Sequence, residues 1–223
     1  MTERVLIVAA HADDEALGCG GTMARHADSG DSVDVVFLAD GVSGRGDNSA
    51  LAVRHASAEK ACNILGASTP TFFDFPDQRL DTAGFLPVVQ MLEALIARIQ
   101  PTIIYTHHGG DLNLDHRIVH QAVLTALRPM PASTYKAIYA FEVASSTEWA
   151  SSAIGEAFRP DRFVSIENTI ERKIEALKAY DQEMRDFPHS RSYAALRALA
   201  TLRGASVGFV AAEGFMTLRS LVR

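Results

Sequence analysis

The sequence predicts a single α/β domain over residues 1–223, a mostly parallel sheet with helices on both faces. Three observations predict it. Near-continuous apolar runs recur along the chain, amphipathic helical stripes fall between them, and 223 residues at 48% hydrophobic can bury one large core. Alternation of this kind implies parallel βαβ units with right-handed crossovers.

Taken in order, residues 5–10, 33–39, 71–75, 102–106 and 137–141 read as strands buried on both faces, because their apolar runs do not alternate with polar residues. Gly18, Gly20 and Gly21 follow the first strand in an order that fits no phosphate-binding loop, so they read as sites of close helix-to-sheet packing. Residues 41–49 form a Gly/Ser/Asp/Asn loop able to cover a site, and the helix over 51–65 stops at Gly66. Phe85, Val88, Val89, Leu92, Leu95, Ile96 and Ile99 make an i, i+3, i+4, i+7 stripe, with Pro87 in its first turn and Pro101 past its end. Ile118, Val119, Ala122, Val123, Ala126 and Leu127 share the face of a further helix, which Asp115 could cap. Another begins near Thr169, where Asn168 and Glu171 have capping-box spacing. Residues 144–155 are rich in Ser and Ala and read as a mobile loop.

A formal charge of −6 without any Lys/Arg cluster argues against a nucleic-acid surface. Residues 1–10 lack the features of a signal peptide and no apolar run is long enough to span a membrane, so a cytoplasmic enzyme acting on a small molecule is expected. A homo-oligomer is compatible with this reading. The two cysteines, Cys19 and Cys62, lack metal or redox spacing and read as small core residues.

Chemistry gathers at two strand ends. The first strand runs directly into His11, Asp13, Asp14 and Glu15; the fourth runs into His107, His108, Asp111, Asn113, Asp115 and His116. In a parallel sheet, both positions open on the crevice outside the carboxyl ends of the strands. A zinc-type ion takes about three protein donors and keeps an open position, and His11, one of Asp13 and Asp14, and His116 would supply that set. The other acid of the pair would be free as a base. An Asp-Asp pair is often just a helix cap; two such clusters at two strand ends are harder to explain that way.

The run His11-Ala12-Asp13-Asp14-Glu15 is similar to the His-Pro-Asp-Asp-Glu signature of the PIG-L/LmbE-like deacetylases, and the 110–117 segment resembles their second motif. The 54–66 pattern, Phe75-Pro76-Asp77 and residues 212–215 resemble further elements of that family. The resemblance implies a Rossmann-like fold and a zinc-dependent hydrolase that removes the acetyl group from an N-acetylated amino sugar. By position it makes His11, Asp14 and His116 the zinc ligands, with iron(II) able to take the same donors, and Asp13 the general base. Ala12 stands in place of the usual proline. Asn113 stands where several members have a histidine; an amide can donate to an oxyanion but cannot act as a general acid. Proton delivery then falls to Asp13, His107 or His108. Arg45, Asp77, His107 and His108 are candidate substrate contacts, with Arg191 and Glu213 as further candidates for ordering the loops.

Other readings predict different things. A metal-dependent amidase would act on a non-sugar acylated amine, and a non-haem iron(II) enzyme would share the His/Asp/His set but usually has a β-rich barrel. A receiver-type module would be shorter and would not need His11 or His116, and a nucleotide-binding module would want a phosphate loop that is absent.

Overall fold

The computed structural model describes residues 2–41, 51–131 and 133–222. The chain builds β1 (Arg4–Ala9), α1 (Asp14–Asp28), β2 (Ser32–Ala39), α2 (Leu51–Leu65), β3 (Thr71–Phe75), α3 (Leu80–Ala83), α4 (Phe85–Ile99), β4 (Ile103–His107), α5 (Leu114–Ala126), β5 (Ala137–Phe141), β6 (Arg162–Ser165), α6 (Ile170–Lys178), α7 (Tyr193–Ala205) and β7 (Ala212–Ser220). One seven-stranded sheet has the order β3-β2-β1-β4-β5-β7-β6. The first five strands pair in parallel, whereas β7 runs antiparallel to both β5 and β6.

Alternation within β1 divides the core. Val5, Ile7 and Ala9 pack with α1, α2, α6 and α7, while Leu6, Val8 and Ala10 pack with α3, α4 and α5. Both faces are covered, which is why the central strands read as unbroken apolar runs. At the sheet's edge β3 is only half buried, contrary to the expectation of burial on both faces. Strands β6 and β7 and helices α3 and α7 do not stand out in the sequence, because β6 is short and half-exposed and the second half of β7 faces water.

Helix α1 is broken within its glycine run. Cys19 leaves helical geometry (φ −144°, ψ 20°), and the freed backbone groups are taken up by a buried ion pair. Glu213 accepts from the Gly21 N–H at 3.0 Å and the Thr22 N–H at 2.7 Å; Lys173 Nζ donates to Glu213 at 2.6 Å and to the Leu17 carbonyl at 2.8 Å. Close packing explains two of the glycines: a Cβ on Gly18 would run into the Phe141 ring, and one on Gly21 would meet Ile166 Cγ2 at 2.8 Å. Glu213 is thus a structural splice and does not line the crevice. Truncating one partner of a buried, hydrogen-bonded charge pair costs about 3–5 kcal/mol. Glu213→Ala should lower the urea-unfolding free energy by that amount; a loss below about 1 kcal/mol would mean that α1 does not depend on the splice.

Three local expectations are corrected. Asp115 does not cap α5: Asn113 does, its Oδ1 accepting from the Asp115 N–H at 2.9 Å, so that the Asp115 carboxylate is free to point elsewhere. Helix α6 has Thr169, not Asn168, at its N-cap, and Glu171 pairs with Arg197 instead of closing a capping box. Residues 144–155 are tied down around a 3-10 turn at Thr147–Trp149, where Thr147 Oγ1 accepts from the Val143 N–H at 2.8 Å and Glu148 accepts from the Ser145 N–H at 2.7 Å. Cys19 and Cys62 are free and buried.

Candidate metal centre

The strand order reverses between β1 and β4, so their carboxyl ends open on a topological switch point. Past Ala9 the chain turns sharply into α1 through Asp13, whose φ of 125° is a left-handed strain for a non-glycine residue. Side chains hold that turn. Glu15 Oε2 accepts from the Asp13 N–H at 3.0 Å, Tyr180 donates to Glu15 Oε1 at 2.7 Å, and Arg191 Nη1 donates to Asp13 Oδ2 at 2.8 Å.

Three donor atoms converge beside it. Asp14 Oδ2 lies 3.4 Å from His11 Nδ1 and 3.3 Å from His116 Nε2. With bonds of about 2.0–2.1 Å, a tetrahedral zinc site has donor-to-donor edges of roughly 3.3 Å, so these two edges fit such an ion. The outer nitrogens are held as well. His11 Nε2 lies 3.1 Å from both Asp115 Oδ2 and Asp77 Oδ1, and His116 Nδ1 lies 3.1 Å from Asp111 Oδ1. Carboxylates behind ligating imidazoles orient the rings and raise their basicity. The acids are anchored in turn: Asp115 accepts from the Gln78 N–H at 2.8 Å and the Leu80 N–H at 3.1 Å, and Asp111 takes the Ser146 hydroxyl, Thr147 Oγ1 at 2.6 Å and the Asn113 N–H at 2.8 Å.

The electrostatics are those of a cation site. Burial opposes ionisation of Asp14, but the charge of His116 and the bonds to His11 and His116 outweigh it and hold the carboxyl well below its usual range. Burial would depress His116 too, yet Asp14 and Asp111 win and push it up to about 9. His11 is raised well above its usual value, burial being outweighed by Asp115, Asp14 and Asp77. Both rings carry a proton that a metal would replace.

Glu15 behaves oppositely: burial pushes its carboxyl up to about 8. An acid raised on folding binds its proton more tightly folded than unfolded, so this group contributes falling stability as pH rises from about 4.5 to about 8. In Glu15→Gln the amide can still accept from Asp13 and donate to Tyr180. The variant should fold and show a flatter stability-against-pH curve over that range; an unchanged slope would show that Glu15 does not cause it.

The crevice brings together His11, Asp13, Asp14, Asp77, Asn113 and His116, and adds Arg54, Gln78, Ser145, Ser146, Glu183 and Arg191. Two candidates for substrate contact do not face it. His107 is fully buried, stacks on His116 at 3.9 Å and accepts from the Ala10 N–H at 2.8 Å; burial first and the His116 charge second push it well below its usual value. His108 is turned away to the Glu156 carbonyl at 2.7 Å. His107 is the last residue of β4 and lies under His116, whereas His108 is past the strand and is held by the segment around Glu156. Arg45 lies outside the described residues. Sequence reasoning missed Gln78 and Glu183 as crevice residues, since neither sits in a motif, and gave Arg54, which opens the 54–66 pattern, no place in the crevice. It also left Asp111 without a role and gave Asp115 that of a helix cap, although both carboxylates back the histidines of the centre. A larger cavity of about 560 Å³ lies by the C-terminal end of α1 and β6, near Arg25 and Arg162, without any of these donors.

Residues 6–127 match the family model described as GlcNAc-PI de-N-acetylase, PIG-L. The chain belongs to the PIG-L family. Its relatives vary in activity. The chain is 31% identical over 79% of its length to the uncharacterized deacetylase YaiS of Escherichia coli, covering 89% of that protein. It is 29% identical over 78% of its length to the 4-oxalmesaconate hydratase of Pseudomonas putida, covering 71% of it. Among solved structures, the N,N'-diacetylchitobiose deacetylase of Pyrococcus horikoshii superposes with a TM-score of 0.78 at 20% identity, over 97% of this chain and 84% of that one. The PIG-L fold is therefore common to enzymes named for deacetylation and for hydration. No helix among the described residues is long and apolar enough to cross a membrane.

Proposed function

We propose that this PIG-L protein is a zinc-dependent deacetylase that hydrolyses the acetamide of an N-acetylated amino sugar or its conjugate. The observation that supports it best is the convergence of His11 Nδ1, Asp14 Oδ2 and His116 Nε2 beside the buried carboxylate of Asp13. A zinc ion on these donors, or iron(II) in its place, would lower the pKa of a water molecule to about 7 and polarise the amide carbonyl.

The chain's own groups divide the remaining work. Asp13 takes a proton from the attacking water as its oxygen bonds to the acyl carbon, aided by burial, which raises the carboxyl's basicity, while Arg191 keeps it ionised and aimed. Asn113 spends its Oδ1 on the α5 cap, and its Nδ2, which donates to Gln78 Oε1 at 3.5 Å, has a second N–H for the oxyanion. With His107 and His108 closed off, Asp13 returns the proton to the leaving nitrogen as the C–N bond breaks, giving acetate and an amine. Asp77 acts behind His11, as its 3.1 Å approach to Nε2 favours.

Acetate release from N-acetylglucosamine and its glycosides, with and without chelator, tests the proposal. Release that survives chelation would overturn it. A second reading, hydration of an unsaturated carboxylic acid, is favoured by the hydratase relative and by two arginines in the crevice. It predicts no acetate and a loss of substrate conjugation in the ultraviolet. An acylated amine outside the sugars would release acetate only when tested in the sugars' place.

A further inference from the structure

The crevice encloses about 100 Å³ among the described residues. Pockets that bury a drug-sized ligand run to about 300–1,000 Å³, so this one takes in the reacting end of a substrate and leaves the remainder on the rim. An aromatic pair joins two of the segments that supply the crevice. Trp149, the one tryptophan in the sequence, ends the 3-10 turn that follows crevice-lining Ser145 and Ser146. Its side chain is 53% exposed and meets the His189 ring at 5.6 Å and 83°. His189 belongs to the other wall: its Nδ1 accepts from the Arg191 N–H at 3.0 Å, and Arg191 reaches Asp13. Each of two segments that line the crevice thus contributes one ring.

The pair is fixed rather than loose. Thr147 is buried beneath it and bonded to Asp111, while Glu148 accepts from the backbone N–H groups of Ser145 and Ser146. In the near-perpendicular contact His189 covers at most one indole face, and Trp149 as a whole is about half exposed. A rigid indole with an open face beside a polar crevice suits a ligand with one apolar face and polar edges, which describes a pyranose ring.

We infer that Trp149, set by His189, is a stacking subsite for the sugar joined to the N-acetylated residue, so that the favoured substrate is a glycoside of at least two rings. The assignment of the reacting ring rests on the deacetylase reading above.

The test measures KM for N-acetylglucosamine and for N,N'-diacetylchitobiose, together with Trp149 fluorescence during titration with glucosamine and chitobiose, which lack the acetyl groups and bind without turnover. Chitobiose should shift the emission and glucosamine should not. Trp149→Ala should raise KM for the disaccharide by roughly tenfold, leave that for the monosaccharide unchanged, and be rescued by Trp149→Phe. Equal KM values for the two sugars with flat emission overturn the subsite while leaving deacetylation intact. A rise in both KM values in Trp149→Ala overturns it as well. An emission shift with chitobiose but no acetate from either sugar supports the subsite and overturns the deacetylase reading instead.

Discussion

His116→Ala should lose the metal, not merely the activity. Removing an outer carboxylate behind a metal-bound histidine lowers affinity by about 10–100-fold, and removing one of only three protein donors should exceed that. Competition with a chromophoric chelator would measure the loss, and Asp111→Asn, which leaves the imidazole in place 3.1 Å away, should fall within the smaller range. Full occupancy in His116→Ala would reject the ligand set. The pH dependence supplies a second check. Without metal, His116 is raised from 6.5 to about 9 by Asp14 and Asp111 against burial, so its charge stabilises the metal-free fold most below about pH 6.5 and that contribution is lost as pH rises through about 9. Metal must displace this proton, so affinity should weaken as pH falls below about 9. In His116→Ala that slope should lose the share of one proton.

The parts of the molecule that were legible share a physical cause. Strands buried on both faces must be apolar at nearly every position, so β1, β2, β4 and β5 declared themselves within one residue at each end. His11, Asp14 and His116 were brought together in the reading because the first two follow β1, the third opens the helix after β4, and the parallel sheet sends both strand ends to one side. What lay hidden depends on long-range pairing. Glu213 and Lys173 repair a break in a helix more than 150 residues away, and Arg191 reaches Asp13 across 178 positions. Asn113 and Asp115 show a subtler limit: both are good caps, and only the geometry gives the cap to Asn113 and frees Asp115 for His11. His107 and His108 read like His116 because motif position carries no information about where a ring points: all three are buried, and only His116 turns a nitrogen to the crevice beside Asp14.

Asp13→Asn should keep the metal and lose most of the turnover. The substitution is nearly isosteric, Arg191 can still donate to the amide oxygen, and Asn tolerates positive φ as well as Asp does, so the turn held by Glu15 should persist. What disappears is proton transfer, worth about 10²- to 10⁴-fold in kcat. Because Asp13 serves as both base and acid in the proposed cycle, the loss should lie at the upper end of that range. Its pH profile follows from its surroundings. Burial raises the Asp13 carboxyl and the Arg191 charge pulls it partly back, so activity should fall on the acid side as Asp13 takes up its proton. Arg191→Gln removes the opposing charge and keeps a hydrogen-bond donor of similar reach. The acid limb of kcat/KM should then move to higher pH, while metal content stays unchanged. A limb that does not move in Arg191→Gln, or wild-type turnover in Asp13→Asn, would take the base's role away from Asp13 and return the question to the groups around Glu183 and Arg54, which line the same crevice.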